Sequence, residues 1–230
     1  MKFFSKKSLD DVSPNEDKEN VVNKKKDILQ WILCIVIAII LALLVRHFIF
    51  TPTTVREVSM LPTLEDGDKL ILNKWSITTG KEIERGQIIT FEAPSVVDAY
   101  EVDYDEDYPV AEYYSSSNIF SNFTHYVLGI GKTSYIKRVI AIAGDHILIK
   151  NAKVYLNNNL LQEDYLSDDV YTERTGQFYD LTVPEGCVFV MGDNRTKSTD
   201  SRVFGCIPIE KIEGIVSARF WPLDKFGKVE

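Results

Sequence analysis

A serine in a turn, a lysine in an apolar run and a dense polar segment are the parts of this chain that could do covalent chemistry. Ser59 stands in EVSMLPTLEDGDKL (57–70), directly before Met60, Leu61 and Pro62. A serine hydroxyl is a weak nucleophile near neutral pH and needs a base within hydrogen-bonding reach. Without one, a serine close to a proline is ordinary turn chemistry. The usual base is histidine, but His47, His125 and His146 are scattered and sit in no motif that pairs them with an acid. That leaves a neutral lysine. Lys137 lies in SYIKRVIAIAGD (134–145), where a period of two puts Tyr135, Lys137 and Val139 on one face of a strand. To act as a base near neutral pH its pKa must fall by about 2 to 3 from the ordinary value near 10.4, and burial among apolar neighbours shifts it in that direction. On an edge strand facing water, the same lysine would be a surface charge.

The third segment, MGDNRTKSTDSRVFG (191–205), packs Asp193, Asn194, Arg195, Ser198, Asp200, Ser201 and Arg202 between two apolar runs. Two readings are open. Such a segment is a flexible surface loop, or it is a buried network in which every charge is paired, because unpaired charges cannot stay in an interior.

The element before these residues is an anchor. Residues 28–45, ILQWILCIVIAIILALLV, contain one polar side chain, Gln30, and no charge. As a helix they measure about 27 Å, close to the hydrocarbon thickness of a bilayer, and Phe48 to Phe50 extend them toward the interface. No small-x-small cleavage site follows, so the segment reads as an uncleaved span over 28–50 rather than a removable leader. Seven lysines precede it, three of them at 24–26, which by the positive-inside rule keeps the N-terminus in the cytoplasm and sends 51–230 outside. The tail, residues 1–27, has mixed charge and no apolar period and reads as unstructured.

Beyond the anchor, KLILNKW, QIITFEA, SYIKRVIAIA, HILIKNAKVYLNN, CVFVMGD and IEGIVSARFWP are short β-type runs bounded by turn residues, which makes the fold mainly β. Asn151–Ala152, or the run 157–159, marks a hairpin. An acidic, tyrosine-rich stretch over about 94–131 reads as a solvated surface insertion.

The body is also acidic. The first 50 residues hold eight of the 26 Lys and Arg and six of the 34 Asp and Glu, leaving 18 basic against 28 acidic residues for the rest. That balance argues against nucleic acid as a partner, since phosphate binding relies on Lys and Arg. Three cysteines without a CxxC, and three dispersed histidines, form no metal set. Cys187 and Cys206 read as buried thiols, with a disulfide as the alternative in an extracytoplasmic domain.

Taken together, SMLPTLEDGDKLIL, YIKRVIAIAGDHI and GDNRTKSTDSRVFG resemble, in order and spacing, the serine, lysine and C-terminal boxes of the type I signal peptidases, membrane-anchored Ser/Lys proteases with a single N-terminal anchor in the Gram-positive manner. The resemblance covers about 28–222. It implies an antiparallel β-sheet catalytic domain with a small β cap at about 146–186, and removal of signal sequences from exported preproteins after small-x-small motifs at the outer face of the membrane. No cofactor or metal is implied; the partners are preprotein signal sequences and membrane lipid. By the same resemblance Ser59 is the nucleophile, Lys137 the general base, and Ser198 orients the lysine. Asp193, Arg195, Asp200 and Arg202 support the site, while Met60, Val55 and Ile136 line a shallow pocket for a small residue.

This chain departs from the family pattern at two places. Ala141 and Ala143 stand where members commonly have Gly and Pro, and Glu57 and Val58 where Ser or Gly, then Gly, often precede the nucleophile. Glu57 cannot supply a hydroxyl to a developing oxyanion. A specialised or inactive membrane-anchored relative acting as an assembly factor is the alternative reading; a self-cleaving repressor would require a DNA-binding helical domain where the span stands.

Overall fold

The computed structural model describes residues 14–95, 109–113, 133–167 and 169–229. The chain forms two compact units, divided between Val45 and Arg46. The first is built on helix α1 (Pro14–Phe48). Its segment Lys26–Leu44 is long and apolar enough to cross a membrane and buries none of its surface inside the protein. Two expected boundaries shift. Residues 14–27, read as unstructured, continue the helix, because a long apolar helix already supplies the costly nucleus and each added residue needs only propagation. At the other end the helix stops at Phe48, Ile49 turns, and Phe50 already belongs to the first strand.

In the second unit, β1 (Phe50–Thr54), β2 (Lys69–Asn73), β3 (Ile88–Glu92), β4 (Ser134–Ile142), β9 (Cys187–Met191), β10 (Ile207–Pro208) and β11 (Ile212–Trp221) form one seven-stranded sheet in the order β1-β2-β11-β3-β4-β9-β10. Every neighbouring pair in it is antiparallel. A four-stranded sheet in the order β7-β6-β5-β8 is built from β5 (His146–Lys150), β6 (Lys153–Leu156), β7 (Asn159–Leu160) and β8 (Asp180–Thr182). The mainly β fold and the N-terminal apolar helix are therefore as the sequence implies. Helices in this unit are short: α2 (Trp75–Thr78) and α3 (Ser201–Phe204). The strand FTPTT carries Pro52, which an edge position tolerates because no ladder N–H is needed on the outer side.

The central strands are buried on both faces, which explains why their sequences run apolar without alternating. Along β9, Cys187, Phe189 and Met191 join a cluster with Ile147, Ile149 and Val154 of the small sheet, while Val188 and Val190 join Ile89, Phe91, Val139, Phe204 and Ile207 on the opposite face. A third cluster gathers Val55, Met60, Leu64, Leu70, Leu72, Ile88 and Val216 around the serine turn. Cys187 and Cys206 are buried free thiols.

Most of the acidic stretch lies outside the described residues. The exception, 109–113, is no solvated excursion: Val110 bridges to Cys206, the Cys206 N–H donates to the Pro109 carbonyl at 2.8 Å, and Tyr113 donates to the Glu92 carbonyl at 3.1 Å. The apolar PVA within the acidic run supplies the residues that dock.

Both hairpin candidates are used. Asn151 and Ala152 close β5–β6 with φ of 52° and 60°, and Asn157 and Asn158, at 51° and 65°, close β6–β7. Asparagine tolerates that left-handed region, but the Cβ of Ala152 costs about 1–2 kcal/mol there. Ala152→Gly should therefore stabilise the protein by about 0.5–1 kcal/mol after the added flexibility of the unfolded chain is deducted. The check is a higher urea midpoint at unchanged slope.

Candidate active site

Lys137 is not on an edge. β4 lies between β3 and β9, Lys137 pairs with Ile89 across β3, and its side chain is 1% exposed. Its Nζ donates to Ser59 Oγ at 2.8 Å, and Ser59 is itself 6% exposed. Burial pushes the amine below the ordinary lysine range. Arg202 pushes the same way, while the carboxylates of Asp200 and Glu57 oppose it. The Tyr135 ring centroid lies 5.1 Å from Nζ and forms part of the wall.

The serine turn is clamped from two sides. On the apolar side, Met60 and Leu64 sit in the third core cluster, and the Leu64 N–H donates to the Met60 carbonyl at 2.9 Å. On the polar side, the Asn194 N–H donates to the Ser59 carbonyl at 3.0 Å and its Nδ2 to the Val58 carbonyl at 3.0 Å. Thr63 Oγ1 donates to Asp193 Oδ2 at 2.5 Å. The two segments approach so closely that a Cβ on Gly192 would fall 2.4 Å from the Ser59 carbonyl oxygen and 2.3 Å from Ser198 Oγ. Among the described residues the Ser59 backbone N–H donates to no acceptor.

The GDNR segment is the buried network, not the loop. Asp200 and Arg202 pair through both carboxylate oxygens at 2.8 Å with neither side chain exposed, and Asp200 also accepts from the Gly192 N–H at 3.1 Å. Burial alone would raise the Asp200 carboxyl, but the Arg202 guanidinium outweighs it and holds Asp200 low and ionised. Arg195 donates to Thr172 Oγ1 at 2.8 Å and pairs with Glu163, tying the segment between β7 and β8 to the site. Burial tends to lower the Arg195 guanidinium, yet Glu163 keeps it above its ordinary value. Removing either partner of such a pair leaves a buried charge alone and costs about 3–5 kcal/mol.

Ser198 and the three residues expected to form the pocket occupy these places. Ser198 makes no hydrogen bond to Lys137. Its Oγ lies near enough to the Asp200 carboxyl to help hold it low, without a partner in strict hydrogen-bonding geometry. Val55, Met60 and Ile136 do belong to one cluster, but Val55 and Met60 are core residues and only Ile136 is partly exposed. Two concavities among the described residues, about 280 and 580 Å³, are lined by residues near Pro62 and Val229 and by 81–85 with Ile142; Ser59 borders neither of these. His146 pairs with Asp180 at 3.0 Å on the small sheet and takes no part.

Sequence reasoning also passed over Arg138. Its guanidinium grips both oxygens of Asp193 at 2.9 and 2.7 Å and donates to the Gly86 carbonyl at 2.9 Å. An arginine inside a β-type apolar run was the available signal. Asn194 was visible only as one polar residue among many. Ala141 and Ala143 leave the lysine-box turn intact: the Asp145 N–H donates to the Ile142 carbonyl at 3.0 Å, and Asp145 pairs with Arg85.

The arrangement is a hydroxyl beside a desolvated amine, with free backbone N–H capacity next to it, which is suited to acyl transfer. Residues 28–221 match the family model described as "Signal peptidase, peptidase S26". Signal peptidase I of Bacillus licheniformis is 33% identical over 220 residues, covering 93% of this chain and 99% of that one. Signal peptidase IB of Staphylococcus aureus (strain COL) is 33% identical over 216 residues, covering 88% and 94%. A crystal structure of a signal peptidase I from Enterococcus faecalis V583 aligns with 59% of this chain and 97% of that chain at 25% identity and a TM-score of 0.37.

Two measurements follow from the geometry. Hydrolytic activity should rise with pH as Lys137 loses its proton below the ordinary lysine range, then level off. Because the Glu57 carboxylate raises Lys137, Glu57→Gln should move that rising limb to lower pH. A limb that stays in place in the pH–rate profile would contradict the coupling. Gly192→Ala should lower activity about 100-fold by driving the serine turn off the lysine, while circular dichroism reports a folded protein.

Proposed function

The chain belongs to the S26 family of signal peptidases, and from that premise we propose how its residues carry out the reaction. As a member it is a serine endopeptidase that removes signal peptides from preproteins. In our reading Ser59 is the nucleophile and Lys137 its general base. The observation that carries it is the 2.8 Å contact between Nζ and Oγ, both almost fully buried.

Desolvation favours the neutral amine, whose lone pair then accepts the Ser59 proton across that same contact. Oγ attacks the scissile carbonyl, and the negative charge gathers on its oxygen, where the Ser59 N–H can donate. The Lys137 ammonium returns the proton to the departing amine, which is the new N-terminus of the mature protein. The signal sequence remains as an ester on Ser59. Lys137 then takes a proton from water as its oxygen attacks the ester, and returns that proton to the departing Ser59 Oγ; the signal sequence leaves as a carboxylic acid that ionises in solvent. Asp200, with its charge matched to Arg202, supports the lysine's surroundings without taking its proton.

The finer points of specificity and place belong to the same proposal. The bond cut follows a small-x-small sequence, with Ile136 beside the small side chain. The span crosses the cytoplasmic membrane once with residues 1–27 inside, and 51–230 is the extracytoplasmic protease domain, in contact with membrane lipid at its point of anchorage. The lysines before the span support that orientation.

The test is cleavage of a preprotein by the detergent-solubilised full chain. Ser59→Ala and Lys137→Ala should each lose at least about 1,000-fold in kcat/KM while remaining folded. Wild-type rates in either variant would remove that residue from the reaction.

A further inference from the structure

The segment between β7 and β8 sends one aromatic ring toward the site. Tyr165 lies over the guanidinium of Arg138, with Cζ 3.9 Å from the ring centroid. Arg138 is the strand neighbour of Lys137 and holds Asp193 with two parallel bonds. From Asp193 the connection runs through the hydroxyl of Thr63, and through the adjacent Asn194, to the backbone on either side of Ser59. Tyr165 itself is not free to move. Its hydroxyl donates to Glu163 at 2.6 Å and accepts from Arg195 Nη2 at 3.3 Å, and Arg195 holds Glu163 and Thr172 from the same segment. Burial, with Glu163 beside it, pushes the phenol well above its ordinary value, so it stays a neutral donor.

We propose that the ring of Tyr165 is a positioning residue for Ser59, acting by covering the face of Arg138 and so fixing the Arg138–Asp193 pair against the serine turn. A guanidinium has donors only around its edge; its flat face is left for water or for an aromatic ring. Covering that face removes water and strengthens the two bonds to Asp193 by lowering the local dielectric. It also leaves Arg138 one orientation. Attack on a carbonyl depends on sub-ångström placement of Oγ, and a shift of about 1 Å originating outside the reacting atoms can cost about 100-fold. The segment between β7 and β8 thereby contributes to catalysis through one side chain. The inference rests on the reading of Ser59 as nucleophile.

Tyr165→Met fills similar space with a flexible chain that offers no ring face, and Tyr165→Phe keeps the ring and loses the hydroxyl. In preprotein cleavage by the full chain, with the number of reactive serines counted by a burst of a serine-acylating reagent, Tyr165→Met should lose about 10- to 100-fold in kcat per reactive site. Its KM should stay within about twofold, and Tyr165→Phe should stay within about threefold of wild type. A residue that served folding alone would change the count of reactive sites and leave kcat per site untouched. Wild-type kcat per site in Tyr165→Met overturns the proposal, as does a loss in Tyr165→Phe equal to that in Tyr165→Met. Should Tyr165→Met fail to fold, Tyr165→His takes its place; its smaller ring should lower kcat per site, and an unchanged kcat is again the overturning result. Ser59→Ala measured alongside separates the two claims: activity surviving there removes the nucleophile and the clamp that rests on it, whereas activity lost there with wild-type kcat per site in Tyr165→Met removes the clamp alone.

Discussion

An amine enclosed in a β-sheet is the constraint that the rest of the catalytic unit answers. Lys137 has almost no contact with water, one hydroxyl to bond, and apolar strands on both flanks. Water would hold the proton on such a group; its removal releases the proton. The same enclosure would be ruinous for an arginine, which cannot deprotonate, and so every nearby guanidinium has a carboxylate: Arg138 with Asp193, Arg202 with Asp200, Arg195 with Glu163. The unit thus separates two kinds of buried base. One is left to become neutral, and three are kept charged and used as fasteners.

Those fasteners explain how a short loop can hold the Ser59 hydroxyl still. Ser59 belongs to no strand, and its turn has few internal bonds. Rigidity is lent to it by the strand-end segment after β9, whose Asn194 grips the backbone and whose Asp193 grips Thr63. Gly192 is the point where the two segments meet without room for a side chain. Buried ion pairs add little net stability, since desolvation consumes most of their attraction. What they confer here is a single arrangement of three segments far apart in sequence.

Much of this was legible beforehand, and most of the exceptions share a cause. Ser59, Lys137 and the dense 191–205 segment announced themselves by residue type and by apolar surroundings, and the β runs by composition and turn residues. Properties that depend on which strand lies beside which did not. That Lys137 is central and that Val55 and Met60 face the core follow from sheet order and register. A period-two pattern gives sides of a strand but not neighbours across it. Tyr165 and Glu163 were invisible for the same reason, lying in a polar segment whose partners are 27 to 32 residues away. The extension of α1 through 14–27 escaped because cooperativity carries a helix into residues that composition alone would leave unstructured.

The strand order has one more consequence. β11, the last of the described strands, is inserted between β2 and β3, so the sheet is open through its middle until residues 212–221 arrive. A polypeptide is delivered N-terminus first, whether from a ribosome or through a membrane channel. The serine turn and the lysine strand are therefore both present long before anything can hold them in one sheet. Pairings of such long sequence separation form late and slowly. Joining β2 to β3 in one sheet therefore waits on residues 212–221, so the frame around Ser59 and Lys137 closes only with a strand distant from both in sequence.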